Sequence, residues 1–218
     1  MKISVIITGA TGMVGEGVLH ECLLHEDVER VIVINRKPCG VTHPRLKEII
    51  HSNFFDLSSV ADQLKGYNAC FFCLGVSSVG MKEDQYTRLT HDLTLHFAET
   101  VVNEGMTFCY VSGAGTDSTE HGKSMWARIK GKTENDLAKL PFKRSYMFRP
   151  GLMKATKGAK NTPKLYNALG WLYPVLHALF PNSSCTLREV GIAMIKCATK
   201  GYEKQVIDVP DMVKLSRS

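Results

Sequence analysis

The sequence predicts an α/β fold, a doubly wound parallel sheet with a small substrate-side segment near the C-terminus, and three observations carry that expectation. Short runs rich in β-branched and aromatic residues alternate with longer helix-like segments. The runs are apolar without the in-out alternation of a half-exposed strand, as a sheet covered on both faces requires. A glycine-rich turn joins the first run directly to an apolar helix-like segment.

In chain order the expected strands are Ile3 to Thr8, Arg30 to Asn35, Glu48 to Phe54, Ala69 to Leu74, Thr107 to Ser112, Ser145 to Arg149 and Gln205 to Val209. Between them Val14 to Leu24, Ser59 to Leu64, Glu83 to Asn103 and Lys130 to Leu140 have helix composition. Leu89, Leu93, Phe97 and Val101 repeat at near-helical spacing, with Gly105 just beyond as a stop. Thr186 and Glu189 form a capping box ahead of Val190 to Ala198.

A chain of 218 residues is enough for one well-cored domain and too short for two of ordinary size, so residues 1–218 are expected to fold as one unit. The stretch Pro150 to Ser184 breaks the strand-helix rhythm, with Lys154, Lys157, Lys160 and Lys164 followed by the apolar run Trp171 to Phe180. Excursions from the carboxyl ends of late strands sit over the ligand crevice of a doubly wound sheet, so residues 150–184 are assigned to the substrate side. Each aromatic residue in that stretch is also readable as a patch on the core.

Hydrophobic residues at 44% and charged residues at 22% exclude disordered, collagen-like and coiled-coil classes. A net charge of +6 suits an anionic small molecule and is modest for a nucleic-acid binder, so no nucleic-acid partner is expected. Seven cysteines, an odd number scattered through apolar runs, do not form a secreted disulfide framework and point to the cytoplasm. The opening apolar run is interrupted by Gly9, Gly12 and Gly15, against an export signal, and no stretch approaches the ~20 apolar residues of a spanning helix. Cys70 and Cys73 spell a CxxC, but on a strand they face opposite sides, so they read as core thiols. The histidine spacings support no metal site.

The chemistry is concentrated in Thr8-Gly9-Ala10-Thr11-Gly12-Met13-Val14-Gly15. Glycines here permit a tight turn, let backbone approach a pyrophosphate and allow close helix-strand packing, while the helix N-terminus offers free N–H groups to the anion. No Gly-Lys-Ser/Thr follows, which excludes a P-loop. With its G-x-x-G-x-x-G spacing the sequence resembles the extended and atypical short-chain dehydrogenase/reductase superfamily, whose members have a Rossmann-type NAD(P)-binding fold. The nearest branch is the Tat-interacting-protein-like and NmrA-like group. The resemblance covers nearly the whole chain, with Asp92, Tyr110-Val111-Ser112, Lys130 and Phe148-Arg149-Pro150-Gly151 in the family's order. It implies cofactor contacts from Gly9, Thr11, Gly12, Met13, Val14 and Gly15, an adenine contact from Asp56 and Leu57, and cover from Leu74 and Gly75.

Dinucleotide folds select NAD with an acid at the end of the second strand, about 20 residues beyond the glycines. This chain has Asn35-Arg36-Lys37 there, and a guanidinium can pair with a 2′-phosphate that a carboxylate would repel, so NADP(H) is the expected cofactor. Solvation of a loop is the alternative use of Arg36 and Lys37.

At the catalytic positions the family pattern breaks. The resemblance implies a Tyr-x-x-x-Lys pair with a serine, and the corresponding stretch places Trp126 where the tyrosine belongs, four residues before Lys130. An indole N–H donates a hydrogen bond but has no usable acid-base chemistry. Ser112 and Lys130 remain the catalytic candidates, with Lys130 also implied to bind the nicotinamide ribose. Tyr86, Tyr110 and Tyr146 are the hydroxyls that could stand in.

Two functions stay open: an NADP(H)-dependent oxidoreductase or isomerase of a small carbonyl or sugar-like substrate, and a non-catalytic NADP(H)-binding regulator with a protein partner. Either is compatible with a homodimer.

Overall fold

The computed structural model describes residues 1–156, 158, 160, 161 and 173–218. The central sheet has seven strands: β1 (Ile3–Thr8), β2 (Val28–Asn35), β3 (Leu46–Ile50), β4 (Ala69–Phe72), β5 (Thr107–Val111), β6 (Arg144–Arg149) and β9 (Val206–Asp208). Their order is β3-β2-β1-β4-β5-β6-β9, and every neighbouring pair is parallel. The order reverses between β1 and β4, which opens a crevice at their carboxyl ends.

Both faces of the sheet are buried, which is why its strands read as continuous apolar runs. On one face Val5, Ile7, Val31, Val33, Phe71 and Phe148 pack beneath α1 (Met13–Leu24) and the two helices nearest the C-terminus. On the other, Ile6, Ile32, Cys70, Phe72, Phe108 and Tyr110 meet Leu93, Phe97 and Val101. Cys70 and Cys73 fall on opposite faces, as their spacing requires, and all seven cysteines are free.

The helical region Glu83 to Asn103 is not one regular helix. It consists of α2 (Glu83–Thr87), a π-helical turn over Arg88–Asp92, and α3 (Leu93–Val101), ending before Gly105. A π turn inserts a residue into the helical repeat and re-aims the side chains around it, a device common at functional sites. The helix expected from Lys130 begins five residues earlier, as α4 (Met125–Leu137), because Ser124 already holds the extended conformation of an N-cap. The strand expected over Glu48 to Phe54 is Leu46–Ile50. Phe54 is buried from a loop, so its apolar character mimics a strand residue. Ser59 to Leu64 is a single 3₁₀ turn, Ala61–Leu64.

Beyond β6 the chain forms β7 (Leu152–Lys154), and it returns through α5 (Tyr173–Leu179) to β8 (Ser184–Thr186), which pairs with β7 in parallel. The backbone N–H groups of Lys160 and Asn161 donate to the Glu16 carboxylate, at 2.7 and 2.8 Å, in the first turn of α1. Trp171, Leu172, Lys157 and Lys164 lie outside the described residues. In the remainder of the apolar run Tyr173 is buried, whereas Val175, Leu179 and Phe180 are exposed. The capping box forms as expected at the start of α6 (Leu187–Thr199). The run expected as a strand to Val209 ends at Asp208, where α7 (Val209–Ser216) starts, its proline in the first turn, where a missing N–H costs nothing. Among the described residues no helix is long and apolar enough to cross a membrane.

Candidate cofactor site

The turn after β1 is shaped by close backbone approach. Gly9 has φ +71°, and its carbonyl accepts from the Gly12 N–H at 2.9 Å. A Cβ on Gly9 would lie 2.8 Å from the backbone of Cys73 and Leu74, so the ends of β1 and β4 touch through this residue. A Cβ on Gly15 would collide with the Gly9 carbonyl oxygen. Gly12 differs: a Cβ there meets only that oxygen, at 3.4 Å, and otherwise points into open space.

That space is a groove of about 340 Å³. Gly9, Thr11 and Gly12 form one wall, Arg36 stands at the end of β2, and Cys73 to Val76 form the floor after β4. Leu89, within the π turn, and Leu93, the residue just after it, supply an apolar side. Ser52 to Phe55 close the end beyond β3.

Asn35, where an NAD-selecting acid would stand, is buried and neutral. Its Oδ1 accepts from the Ala10 N–H at 3.2 Å, and its Nδ2 donates to Glu48 at 3.1 Å, so it ties the glycine turn to β3. Arg36 is exposed on the groove and makes no salt bridge among the described residues, while Lys37 is exposed beside it and does not line the groove. Met13 and Val14 lie in the first turn of α1 and are not among the residues that line the groove. Leu74 and Gly75 both line the floor.

Asp56 and Leu57 are not among the residues that line the groove. Leu57 is part of the core, and the exposed Asp56 carboxylate accepts from the Ser58 hydroxyl and N–H at 2.7 and 3.1 Å, bonds that hold its carboxyl below the usual carboxylate range. Ser52 to Phe55, just upstream, reach the groove instead. Sequence reasoning missed them because Phe54 reads as a strand residue; it missed Leu89 and Leu93 because their helical repeat marks them as core residues, and Leu93 packs in the core as well as lining the groove.

Ser112 and Lys130 come together beside β5. The Lys130 ammonium donates to the Ser112 carbonyl, and the Ser112 hydroxyl donates to Glu134 and, at 3.1 Å, to the Phe148 carbonyl. A hydroxyl has one proton. That proton is shared between two protein acceptors, which leaves Ser112 able to accept from a ligand but not to donate to one in this arrangement. Glu134 in turn pairs with Arg149, whose Nε donates to it at 3.1 Å and whose Nη2 makes a second bond. Burial lowers the Lys130 ammonium to about 8, against the opposing pull of Glu134. Glu134 was missed by sequence reasoning, although a glutamate four residues after Lys130 shares its helix face.

Among the described residues no tyrosine lines the groove. Tyr86 and Tyr110 are buried at 1% and 2% exposure, and burial raises both phenols above their ordinary range. The Tyr146 hydroxyl is held by the Tyr202 backbone, at 2.8 and 3.2 Å. Trp126 sits in the first turn of α4, its indole edge 3.5 Å from where a Cβ on Gly115 would lie. Burial pushes the Cys73 thiol up to about 12, so it is a poor nucleophile despite its place on the groove floor. Among the described residues no group of three or more His, Cys, Asp or Glu side chains is arranged to hold a metal ion.

The chain is similar to proteins of known family. It is 29% identical over 154 residues to Protein fmp52-1, mitochondrial, of Aspergillus oryzae, covering 67% of this chain and 64% of that protein. It is 28% identical over 153 residues to Protein HTATIP2 of Rattus norvegicus, covering 69% and 62%. The matches thus span less than two thirds of the length of these relatives. Among solved structures it resembles MoeE5 in complex with UDP-glucose and NAD, with a TM-score of 0.67 at 15% identity over 98% of this chain and 80% of that one, a likeness of fold. The profile of the NAD dependent epimerase/dehydratase family matches residues 5–129, from β1 through the first turn of α4, and so spans the glycine turn and the whole groove. A match over more than half the chain, on a parallel sheet with this strand order, makes the protein a member of that NAD(P)-binding family.

Proposed function

We propose that the protein binds NADP(H) in the groove between β1 and β4 and acts as an oxidoreductase or isomerase of a small carbonyl or sugar-like substrate, with nonstandard acid-base residues. The observation that carries the cofactor choice is the end of β2, where a buried neutral Asn35 replaces the acid and an exposed Arg36 faces the groove. Gly12 and the first turn of α1 would seat the pyrophosphate against bare backbone, and Lys130 would hold the nicotinamide ribose. When bound, the dinucleotide supplies a hydride donor or acceptor. The segment from residue 150 to 184, which reaches back to Glu16 beside the glycine turn, forms the substrate side of the same single domain. Seven free thiols fit a reducing compartment, and the cytoplasm remains our placement, although the fungal relative is named mitochondrial.

A second reading is favoured by one observation: Trp126 stands four residues before Lys130, at the proton donor's position, and among the described residues no tyrosine lines the groove. On that reading the chain is an NADP(H)-binding regulator whose exposed Val175, Leu179 and Phe180 face a protein partner.

Both readings share the cofactor, which a fluorescence titration tests. NADPH should bind more tightly than NADH, and Arg36→Asp should narrow or reverse the preference. Losing a charged hydrogen bond to the 2′-phosphate costs about 1.5 to 3 kcal/mol, roughly 10- to 150-fold in Kd. Equal affinities of the unmodified protein for NADPH and NADH would overturn the assignment.

A further inference from the structure

Two cavities meet between α1 and the chain that follows β7, and among the described residues they share no lining with the cofactor groove. One is an apolar slot of about 260 Å³ whose walls include Leu19, Leu23, Leu24 and Val41. The other is a hollow of about 510 Å³ that carries Lys154, Arg188 and Arg217. His20, Leu24 and Thr156 line both, so slot and hollow adjoin.

The hollow also carries two carboxylates, and both are engaged. Glu189 accepts from the Thr186 N–H and hydroxyl, at 2.7 and 3.0 Å, in the capping box of α6, and the buried Glu21 lies 3.2 Å from Nδ1 of His20. At the slot, Glu16 is taken up by the Lys160 and Asn161 N–H groups. The cations are not engaged in this way. Among the described residues none of the three lies within ion-pair distance of a carboxylate, and Lys154 Nζ rests 5.3 Å from the centre of the Tyr173 ring. Exposed cations are ordinarily left to water. These border an apolar slot two of whose wall residues, Leu24 and Val41, are 68% and 40% exposed, and water satisfies the charges but not the apolar wall.

We propose that the two cavities together bind an amphipathic anion with a single alkyl chain, its tail along the slot and its carboxylate or phosphate head against Lys154, Arg188 and Arg217. One molecule of this chemistry satisfies the charges and covers the apolar wall at once. The slot alone is smaller than the roughly 300 Å³ at which drug-sized sites begin, so it takes one chain of medium length and not the paired chains of a membrane lipid. The site stands apart from the cofactor reading, since no residue serves both.

Calorimetric titration with decanoate, below its critical micelle concentration, tests the proposal, and methyl NMR places the ligand. One decanoate should bind per chain and shift the methyl signals of Leu23, Leu24 and Val41. Octanoate, two methylenes shorter, should bind about 15-fold more weakly. Acetate and inorganic phosphate, which have no tail, should show no measurable binding. Arg188→Gln/Arg217→Gln should weaken decanoate about tenfold through the head, and Val41→Asp at least as much through the tail. All three positions are exposed, so circular dichroism should not change in either variant. Decyl phosphate in place of decanoate tells which head the cations prefer, and binding of either with these dependences supports the site. Saturating NADPH should leave the decanoate affinity as it was. Failure of both probes to bind, an affinity indifferent to chain length or to the arginine pair, or many copies bound per chain with loss of circular dichroism would overturn the proposal. Displacement by NADPH would overturn it too, by putting the alkyl chain in the cofactor groove.

Discussion

Gly12→Val yields a folded protein that has lost NADPH. Gly12 has φ −105° and ψ 164°, an extended conformation that valine adopts without strain, and the space beyond its Cα is open except for the Gly9 oxygen. The branched side chain therefore costs the empty protein little. It costs the complex a great deal, because the two methyl groups fill the wall where a pyrophosphate must approach bare backbone. Overpacking against a fixed wall is worth about 1 to 3 kcal/mol, and the displaced phosphate hydrogen bonds about 1.5 to 3 more, so affinity should fall about 100-fold or beyond. Circular dichroism and a fluorescence titration check the two halves, and a folded Gly12→Val protein that still binds NADPH at the unmodified affinity would show the turn to be structural only. The contrast with Gly15 sharpens this test, since a side chain at Gly15 meets the Gly9 carbonyl and would disturb the turn itself.

The other large effect is a gain. Trp126 stands one helical turn before Lys130 on the same face of α4, and its indole cannot pass a proton to a developing alkoxide. Trp126→Tyr places a phenol there, smaller than the indole it replaces, next to an ammonium that stabilises the phenolate and so lowers the phenol's proton affinity. General acid catalysis is worth about 10²- to 10⁴-fold, and NADPH oxidation with a panel of aldehydes, ketones and quinones should rise on that scale over a slow unmodified protein. Brisk turnover by the unmodified chain with no gain from Trp126→Tyr would show that another group already serves as the acid, and would remove the regulator reading.

Much of this architecture is legible in the residues because parallel strands buried on both faces announce themselves. The expected strands Ile3 to Thr8, Arg30 to Asn35 and Thr107 to Ser112 fall within a residue or two of the observed ones for that reason. Periodicity says less where burial comes from a loop, so Phe54 drew the third strand four residues too far. It is also silent on helix geometry: the leucine repeat that marks residues 83–101 as helical gives no sign of the π turn over Arg88–Asp92, nor that Leu89 and Leu93 line the groove. The glycine turn and Arg36 were readable because their spacing from a strand end is itself the signal. Glu134 was not, since a glutamate in a helix is nearly always a solvated face, and only the packing of β5 and β6 against α4 buries it.

The central claim is that the groove between β1 and β4 takes a dinucleotide with its 2′-phosphate toward Arg36, and a crystal structure of the protein grown with NADPH tests it most directly. The claim predicts the pyrophosphate against Gly12 and the first turn of α1, the 2′-phosphate within hydrogen-bond distance of the Arg36 guanidinium, and the nicotinamide ribose near Lys130. A dinucleotide bound away from Gly12, or seated there with its 2′-phosphate turned to solvent and Arg36 turned away, would contradict it.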